Sequence, residues 1–365
     1  MRCKHRPSGN YLSLIPLDEM STRISMKNRE IRLMRRPSGR ASADDFAAVD
    51  VDLPSVGEDE VLVRVRWLSI DPYLNERATG SLVGPMVALG GRMVGRGIGE
   101  VLDGAVFPEG TLVSGEFGWQ ECAVQKVTNL VRVSELDIPE TWHLSVLALP
   151  GITAWLALFE LGQAKKGDVV LITSAAGTVG SIAGQLARDA GLRVVGIASG
   201  SAKISWLREL GFAEVVDRSE TAPLEEAIRV ACGTTSQPET AIKPSGGFDL
   251  LLDQVGGSML QAVLLAAKPR ARVILSGHVG AYGETNATIN PDFLLYQRLR
   301  VEGLLVHDHK HRFGLAREAL LAAARSGRLG MRETIHNGLD AAPAALAALL
   351  SGRGLGKHLV RVASA

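Results

Sequence analysis

Apolar residues along the chain recur with two periods, and the periods divide it. In residues 59–69, DEVLVRVRWLS, Val61, Val63, Val65 and Trp67 alternate with Leu62, Arg64 and Arg66, the period of two that predicts a half-buried strand. Similar alternation over residues 29–35, and short glycine-punctuated runs at 90–101, 111–114 and 120–124, predict a compact, barrel-like β unit reaching to about residue 143. Residues 142–162, WHLSVLALPGITAWLALFELG, are mostly apolar and interrupted by Pro150 and Gly151, which predicts two helices.

From residue 168 the pattern becomes α/β. An apolar run at 169–173 has strand length, a small-residue turn spans Ala175 to Gly180, Val179, Ile182, Ala183 and Leu186 follow at helical spacing, and a second strand covers 194–198. Strand, glycine-bearing turn, helix and strand make one right-handed crossover, the phosphate-cradling half of a dinucleotide-binding fold. Gly177 and Gly180 let the backbone approach a pyrophosphate, and the free N–H groups opening the helix, at Thr178 and Val179, point at the anion. The usual first glycine is replaced by Ala175, so the signal rests on its strand–turn–helix context. An NAD site places an acid near the end of the second strand to hold the ribose 2′-hydroxyl. Here that stretch reads IASGSAK, with Ser199 and Lys203 and no carboxylate, which predicts a 2′-phosphate and therefore NADP(H).

The alternation continues with a helix ending at 207–212, a strand at 214–217 and a helix at 224–232, then a long loop at 233–246. A buried strand at 248–253 runs into Gln254-Val255-Gly256-Gly257, a helix extends to about residue 268, and a strand at 272–276 ends in Gly277-His278-Val279-Gly280. Open α/β sheets place ligands at strand C-terminal ends, so these glycine-rich ends are candidate cofactor contacts. Tyr296 follows in 291–298, then a strand at 299–306 and helices at 315–327 and 341–350. The final GRGLGKHLVRV alternates like the first unit, so the chain is expected to return to it. The expected division is an extension over 1–27, a β unit over 28–146 completed by 328–365, and a dinucleotide unit over 147–327.

Composition removes several classes of function. The chain has 365 residues, 46% hydrophobic and 22% charged, with a formal net charge of +1, so neither a nucleic-acid partner nor an anionic membrane surface is indicated. No apolar run approaches bilayer length. Cys3, Cys122 and Cys232 are far apart and share no CxxC spacing, which supports neither a disulfide framework nor a structural zinc site. His143 and the HDHKH run at 307–311 form no ligand pattern with Cys122, so no metal is expected. The first 25 residues carry acids and too short an apolar core for a secretory signal, which leaves the cytoplasm as the expected compartment.

Several stretches carry a family resemblance: IDPYLN at 70–75, LPGITAW at 149–155, SAAGTVGSIAGQLA at 174–187, DQVGG at 253–257, LLYQRLRVEGLLV at 294–306 and GLGK at 354–357. Over residues 28–363 the chain resembles the zinc-free medium-chain dehydrogenases/reductases. Within them it resembles the group of prostaglandin reductases, plant alkenal reductases and curcumin reductase. The resemblance implies a GroES-like barrel with a Rossmann doubly wound sheet, NADP(H), a homodimer, and zinc-independent reduction of the C=C bond of α,β-unsaturated ketones or aldehydes. It implies that Gly177, Thr178, Val179 and Gly180 hold the pyrophosphate and that Ser199 and Lys203 lie at the 2′-phosphate. Ser276, Gly277, His278 and Tyr282 would run along the cofactor, with Leu304, Leu305 and Val306 beside the nicotinamide. Tyr296 would be the active-site tyrosine that donates to the developing enolate oxygen, and Tyr73, the tyrosine of the DPY loop, would join Trp119 in shaping an apolar slot. Three positions depart from the family pattern. Arg218 stands where a tyrosine usually contacts the adenosine phosphate, Gln254 replaces an asparagine, and Gly354 replaces another whose side chain contacts the cofactor. Two other readings share the nucleotide unit: an NADPH:quinone oxidoreductase, and a non-catalytic NADPH-binding protein.

Overall fold

The structure, a computed structural model, describes residues 27–80, 84–104, 106–134, 136–219, 223–233, 246–282 and 289–362. The expected N-terminal extension, apart from Lys27, and the body of the expected long loop lie outside the described residues. Alternation makes the first unit. β1 (Lys27–Leu33) and β2 (Phe46–Asp52) pair antiparallel. β3 (Glu60–Ile70) turns Val61, Val63 and Val65 fully into a core shared with Ile31, Leu33 and Phe46. Each such side chain removed from water contributes about 1.5–3 kcal/mol. β3 passes through Asp71-Pro72 into the short helix α1 (Tyr73–Thr79), which Gly80 terminates in the left-handed conformation at φ 93°. β4 (Arg96–Asp103), β5 (Leu112–Glu116), β6 (Cys122–Lys126) and β7 (Val131–Arg132) extend the sheet, with β6 pairing on β3.

Residues 142–162 differ from the expected pair of helices. A single 3-10 turn (Glu140–Leu144) leads into α2 (Leu149–Trp155), which continues without interruption as a π-helical stretch, Leu156–Leu161. Pro150 stands in the first turn, where a missing N–H costs nothing, so it begins this helix and does not break it. A Cβ on Gly151 would lie 1.8 Å from the Val146 carbonyl oxygen, so glycine here permits close packing.

The second unit is a six-stranded parallel sheet. Its elements are β8 (Val169–Ile172), α3 (Thr178–Asp189), β9 (Arg193–Ala198), α4 (Ser201–Glu209), β10 (Glu214–Asp217), α5 (Leu224–Ala231), β11 (Phe248–Asp253), α6 (Gly257–Leu264), β12 (Ala267–Leu275), α7 (Pro291–Tyr296) and β13 (Arg300–Gly303). The strand order is β10-β9-β8-β11-β12-β13. The chain winds outward from β8 in one direction and then resumes at β11 in the other, which leaves a crevice at the C-terminal ends of β8 and β11. β12 begins five residues before the expected strand and the preceding helix ends earlier, because Ala267 already pairs with Phe248; the ladder shifts register between Ala267 and Arg272, where Arg270 lies at φ 67°. β13 is shorter than expected and is the sheet edge.

α8 (Phe313–Arg325), β14 (Glu333–Asn337), α9 (Ala342–Leu350) and β15 (Lys357–Arg361) finish the chain. β15 pairs antiparallel with β3, His358 opposite Ile70, and parallel with β14, so the C-terminal strand joins the seven-stranded sheet of the first unit. The architecture is the GroES-like barrel plus Rossmann sheet expected from the motifs. Among the described residues no helix is long and apolar enough to cross a membrane.

Candidate active site

The turn after β8 is built to take an anion. Gly177 caps α3, and its N–H donates to the Ser174 carbonyl at 2.9 Å. A Cβ on Gly180 would stand 2.6 Å from that carbonyl oxygen and 2.8 Å from the Ala175 Cα, so only glycine lets α3 pack this closely. The left-handed residue of the turn is Ser174, at φ 49°, and not Ala175. A Cβ at Gly196 would meet the Ala175 methyl at 2.9 Å, so the room a glycine at 175 would leave is supplied by Gly196 on β9.

An acid that the motif reading gave no role holds this turn to the next. Asp253 is fully buried; its carboxylate accepts from Thr173 Oγ1 at 2.7 Å and from the Gly256 N–H at 2.8 Å. Burial pushes its carboxyl above the ordinary range, against these hydrogen bonds. Gln254 donates from its backbone to Thr173 Oγ1 and from its side-chain amide to the Thr173 carbonyl at 2.8 Å. The Gln254 amide nitrogen thereby ties β11 to β8.

At the ends of β9 and β10 the structure gathers Ser199, Lys203 and Arg218. Arg218 Nε donates to Ser199 Oγ at 2.7 Å. The Lys203 ammonium donates to the Gly352 carbonyl, and burial, with the Arg218 charge beside it, lowers its pKa. The neighbouring carboxylate, Asp217, is turned into its own loop, accepting from the Ser219 N–H at 2.9 Å and hydroxyl at 2.5 Å. Two cations and a hydroxyl therefore face one corner, fit for a phosphate dianion.

The opposite end of the crevice departs further from expectation. Ser276 donates from its backbone to the Asp253 carbonyl at 2.8 Å, and Gly277 passes close over Gln254. Tyr282, expected along the cofactor, sends its hydroxyl to Glu76 of α1 at 3.0 Å, and His278 Nε2 lies 3.5 Å from the same Glu76 oxygen. Glu76 is 6% exposed, and its second oxygen has no partner among the described residues. Leu304 is buried, its N–H donating to Leu275; Leu305 is exposed, and Val306 packs partly buried against the sheet core. The Tyr73 hydroxyl is buried without a partner among the described residues, and burial raises its pKa. Trp119 corrects the expectation of a pocket wall. It is fully buried in the barrel core, its ring 5.3 Å from Phe46, where the large apolar ring is removed from water. Tyr296 ends α7 and is 51% exposed, away from this core.

Gly354 gives a structural reason for one departure. It sits at φ 90°, and a Cβ there would meet the His358 Nε2 at 2.5 Å and Thr334 Oγ1 at 2.9 Å. The lost side chain and the His358 ring compete for one space. His358 stacks on His336, with His336 Nε2 and His358 Nδ1 3.3 Å apart, and burial, then the nearby His336 and Lys357, lower its pKa to about 4. Its folded pKa lies below the unfolded value, so it binds a proton more readily when unfolded. Stability is full above about pH 6.5 and falls as the pH drops towards 4, by on the order of 3 kcal/mol from this group. Urea unfolding midpoints between pH 7.5 and 4.5 should show this slope, and His358→Gln should flatten it; an unchanged slope would refute the assignment.

Among the described residues no three His, Cys, Asp or Glu side chains converge to hold a metal.

The family described as the N-terminal domain of oxidoreductase matches residues 29–133, and that described as zinc-binding dehydrogenase matches residues 178–322. The NADPH-dependent curcumin reductase of Escherichia coli is 32% identical, over 92% of this chain and 97% of its own. The NADP(+)-dependent 2-alkenal reductase of Nicotiana tabacum is 31% identical, over 92% and 98%. The crystal structure of CurA from Vibrio vulnificus in complex with NADPH superposes with a TM-score of 0.83, at 29% identity, covering 92% of this chain and 100% of that one. With the barrel, the Rossmann order and the glycine cradle in place, these relatives show that the chain belongs to the medium-chain dehydrogenases/reductases, in the branch of the curcumin, alkenal and prostaglandin reductases.

Proposed function

We propose that this protein is an NADPH-dependent, zinc-independent reductase of the C=C bond of α,β-unsaturated ketones and aldehydes. The observation that carries the reading is the cradle at Gly177 and Gly180, where side chains would collide, opening onto a corner with Ser199, Lys203 and Arg218. The residues fit the dinucleotide: Gly177, Thr178, Val179 and Gly180 take the pyrophosphate, and Ser199, Lys203 and Arg218 take the 2′-phosphate. Ser276, Gly277, His278 and Leu304 to Val306 line the path towards the nicotinamide. When bound, NADPH supplies the hydride that reaches the substrate β-carbon. The chain's own part is to hold the carbonyl and manage charge. As negative charge grows on the carbonyl oxygen, the Tyr296 hydroxyl donates to it, and Tyr296 or water supplies the α-proton. Tyr73 shapes the slot for the apolar part of the substrate.

The reading carries a division of labour, with residues 28–146 and 328–365 on the substrate side and 147–327 holding the dinucleotide. It also carries a homodimer. The edge strand β13 and the exposed Leu294 and Leu295 beside it favour a second copy as the cover. Light scattering should then give about twice the 38.8 kDa chain mass, and a monomer would remove the dimer from the reading. A cytoplasmic compartment is favoured by two free thiols, Cys122 and Cys232, and cell fractionation tests it.

NADPH oxidation rates on medium-chain alkenals, cyclic and aryl enones, and quinones test the function. Enones and enals should be turned over, with the saturated carbonyl as product. Quinones alone as substrates would favour the oxidoreductase alternative, and tight NADPH binding with no turnover on any electrophile would favour a binding protein.

A further inference from the structure

Lys357 is 1% exposed, although lysine is rarely buried without a task. Its neighbour Gly356 lies on the dinucleotide turn. The Gly356 N–H donates to the Ala176 carbonyl at 3.0 Å, Thr178 Oγ1 donates to the Gly356 carbonyl at 3.3 Å, and Gly177 and Gly356 form a parallel bridge. Gly356 has φ 65°, and a Cβ there would stand 1.8 Å from the Arg332 carbonyl oxygen, which fixes the path of the backbone. One residue on, the Lys357 ammonium points the other way. It donates to Asp71 Oδ1 at 2.5 Å and to the Ile70 carbonyl at 3.3 Å, while the second Asp71 oxygen accepts from the Ser69 hydroxyl. Asp71 opens the turn into Tyr73, its carbonyl accepting from the Leu74 N–H at 3.1 Å. Two adjacent residues thus grip the phosphate cradle with backbone and the substrate loop with a charge.

A buried ion pair contributes little stability beyond what a well-packed apolar pair would give, so this one is better explained by placement than by strength. We propose that Lys357 is a positioning residue that couples the dinucleotide turn to the Asp71–Tyr73 loop, so that an occupied cofactor site raises affinity for the unsaturated substrate. Ordering the cradle orders Gly356, and through Lys357 part of the cost of ordering the substrate loop is met before the substrate arrives. The inference rests on the enone reading for the identity of the second ligand.

The test is a linkage measurement on the full chain. An enone turned over in the substrate panel is titrated with and without saturating NADP+, which holds the site without reacting. In the unaltered protein NADP+ should tighten enone binding about tenfold, and by reciprocity enone should tighten NADP+ equally. In Lys357→Met the ratio should fall to near one, with the NADP+ Kd measured alone staying within about twofold. Should that variant fail to fold, Asp71→Asn, which preserves volume, is read in the same way. A purely structural role would lower the thermal midpoint and leave the ratio intact. An unchanged ratio in either folded variant overturns the proposal, as does a ratio near one in the unaltered protein while enones are reduced. If no enone is turned over but a quinone is, the enone reading has failed, and the same ratio is measured with that quinone.

Discussion

Replacing Tyr296 by phenylalanine is expected to lower kcat on enones by about a hundredfold, with the NADPH Kd unchanged. The hydroxyl interacts most strongly when the carbonyl oxygen has become an enolate, and an interaction made mainly at that point appears in kcat and not in binding. Tyr296 ends a short helix whose N-terminus is fixed by Asn290, which accepts from the Asp292 N–H at 2.9 Å, and Arg298 donates to its carbonyl at 3.0 Å. Its backbone is held while its ring remains half exposed, open to a ligand or a second copy of the chain. Tyr73→Phe is the control. The Tyr73 hydroxyl is buried and without a partner among the described residues, a state that costs about 1–3 kcal/mol, so its removal should be neutral or stabilising and should cost less than tenfold in kcat. Stopped-flow hydride transfer separates the chemical step from product release. Full turnover by the Tyr296 variant, with the loss appearing in Tyr73→Phe, would reassign the donor to the loop of α1.

The double change Lys203→Ala, Arg218→Ala is expected to weaken NADPH binding by about a hundredfold or more while leaving NADH binding within about threefold, since each charge-assisted contact contributes about 1.5–3 kcal/mol. The preference should fall in two unequal steps. Arg218 is anchored by Ser199 and exposed, so on this reading its terminal guanidinium nitrogens would meet the phosphate. Lys203 is drawn towards the Gly352 carbonyl and lies beside a like charge, which favours its neutral form; a bound dianion relieves that repulsion. Raising the salt concentration should erode NADPH affinity faster than NADH affinity. Fluorescence titrations with both dinucleotides decide it: equal losses for the two would place the 2′-phosphate elsewhere.

Most of the fold was legible because its signals are local. The strands at 214–217 and 248–253 coincide with β10 and β11; the apolar run of the central β11 and the short Val215-Val216 pair of the edge strand β10 are both written in contiguous sequence. The helix over 149–161 was misjudged because Pro150 reads as a breaker wherever it stands, and only the position of the first turn shows that it begins the helix. The burial of Trp119 is not legible because a loop aromatic looks the same in sequence whether it faces solvent or core. The Tyr282–Glu76 and Lys357–Asp71 contacts are not legible in the sequence for another reason. The partners lie 206 and 286 residues apart along the chain, and no spacing rule connects them. The one local hint is Lys357 at the head of the short strand KHLVR, ahead of the apolar pair Leu359-Val360.

The sequence by itself determined the cradle after β8 and the lack of an acid at the end of β9, because glycine spacing and residue type act on their nearest neighbours. Only the tertiary structure decided that Gly196 makes room for Ala175, that His358 occupies the space above Gly354, and that Gly356 and Lys357 join the turn after β8 to the Asp71–Tyr73 loop. Each of those is a contest for the same few ångströms between segments far apart in the chain, and packing settles it only once β15 has returned to lie against β3.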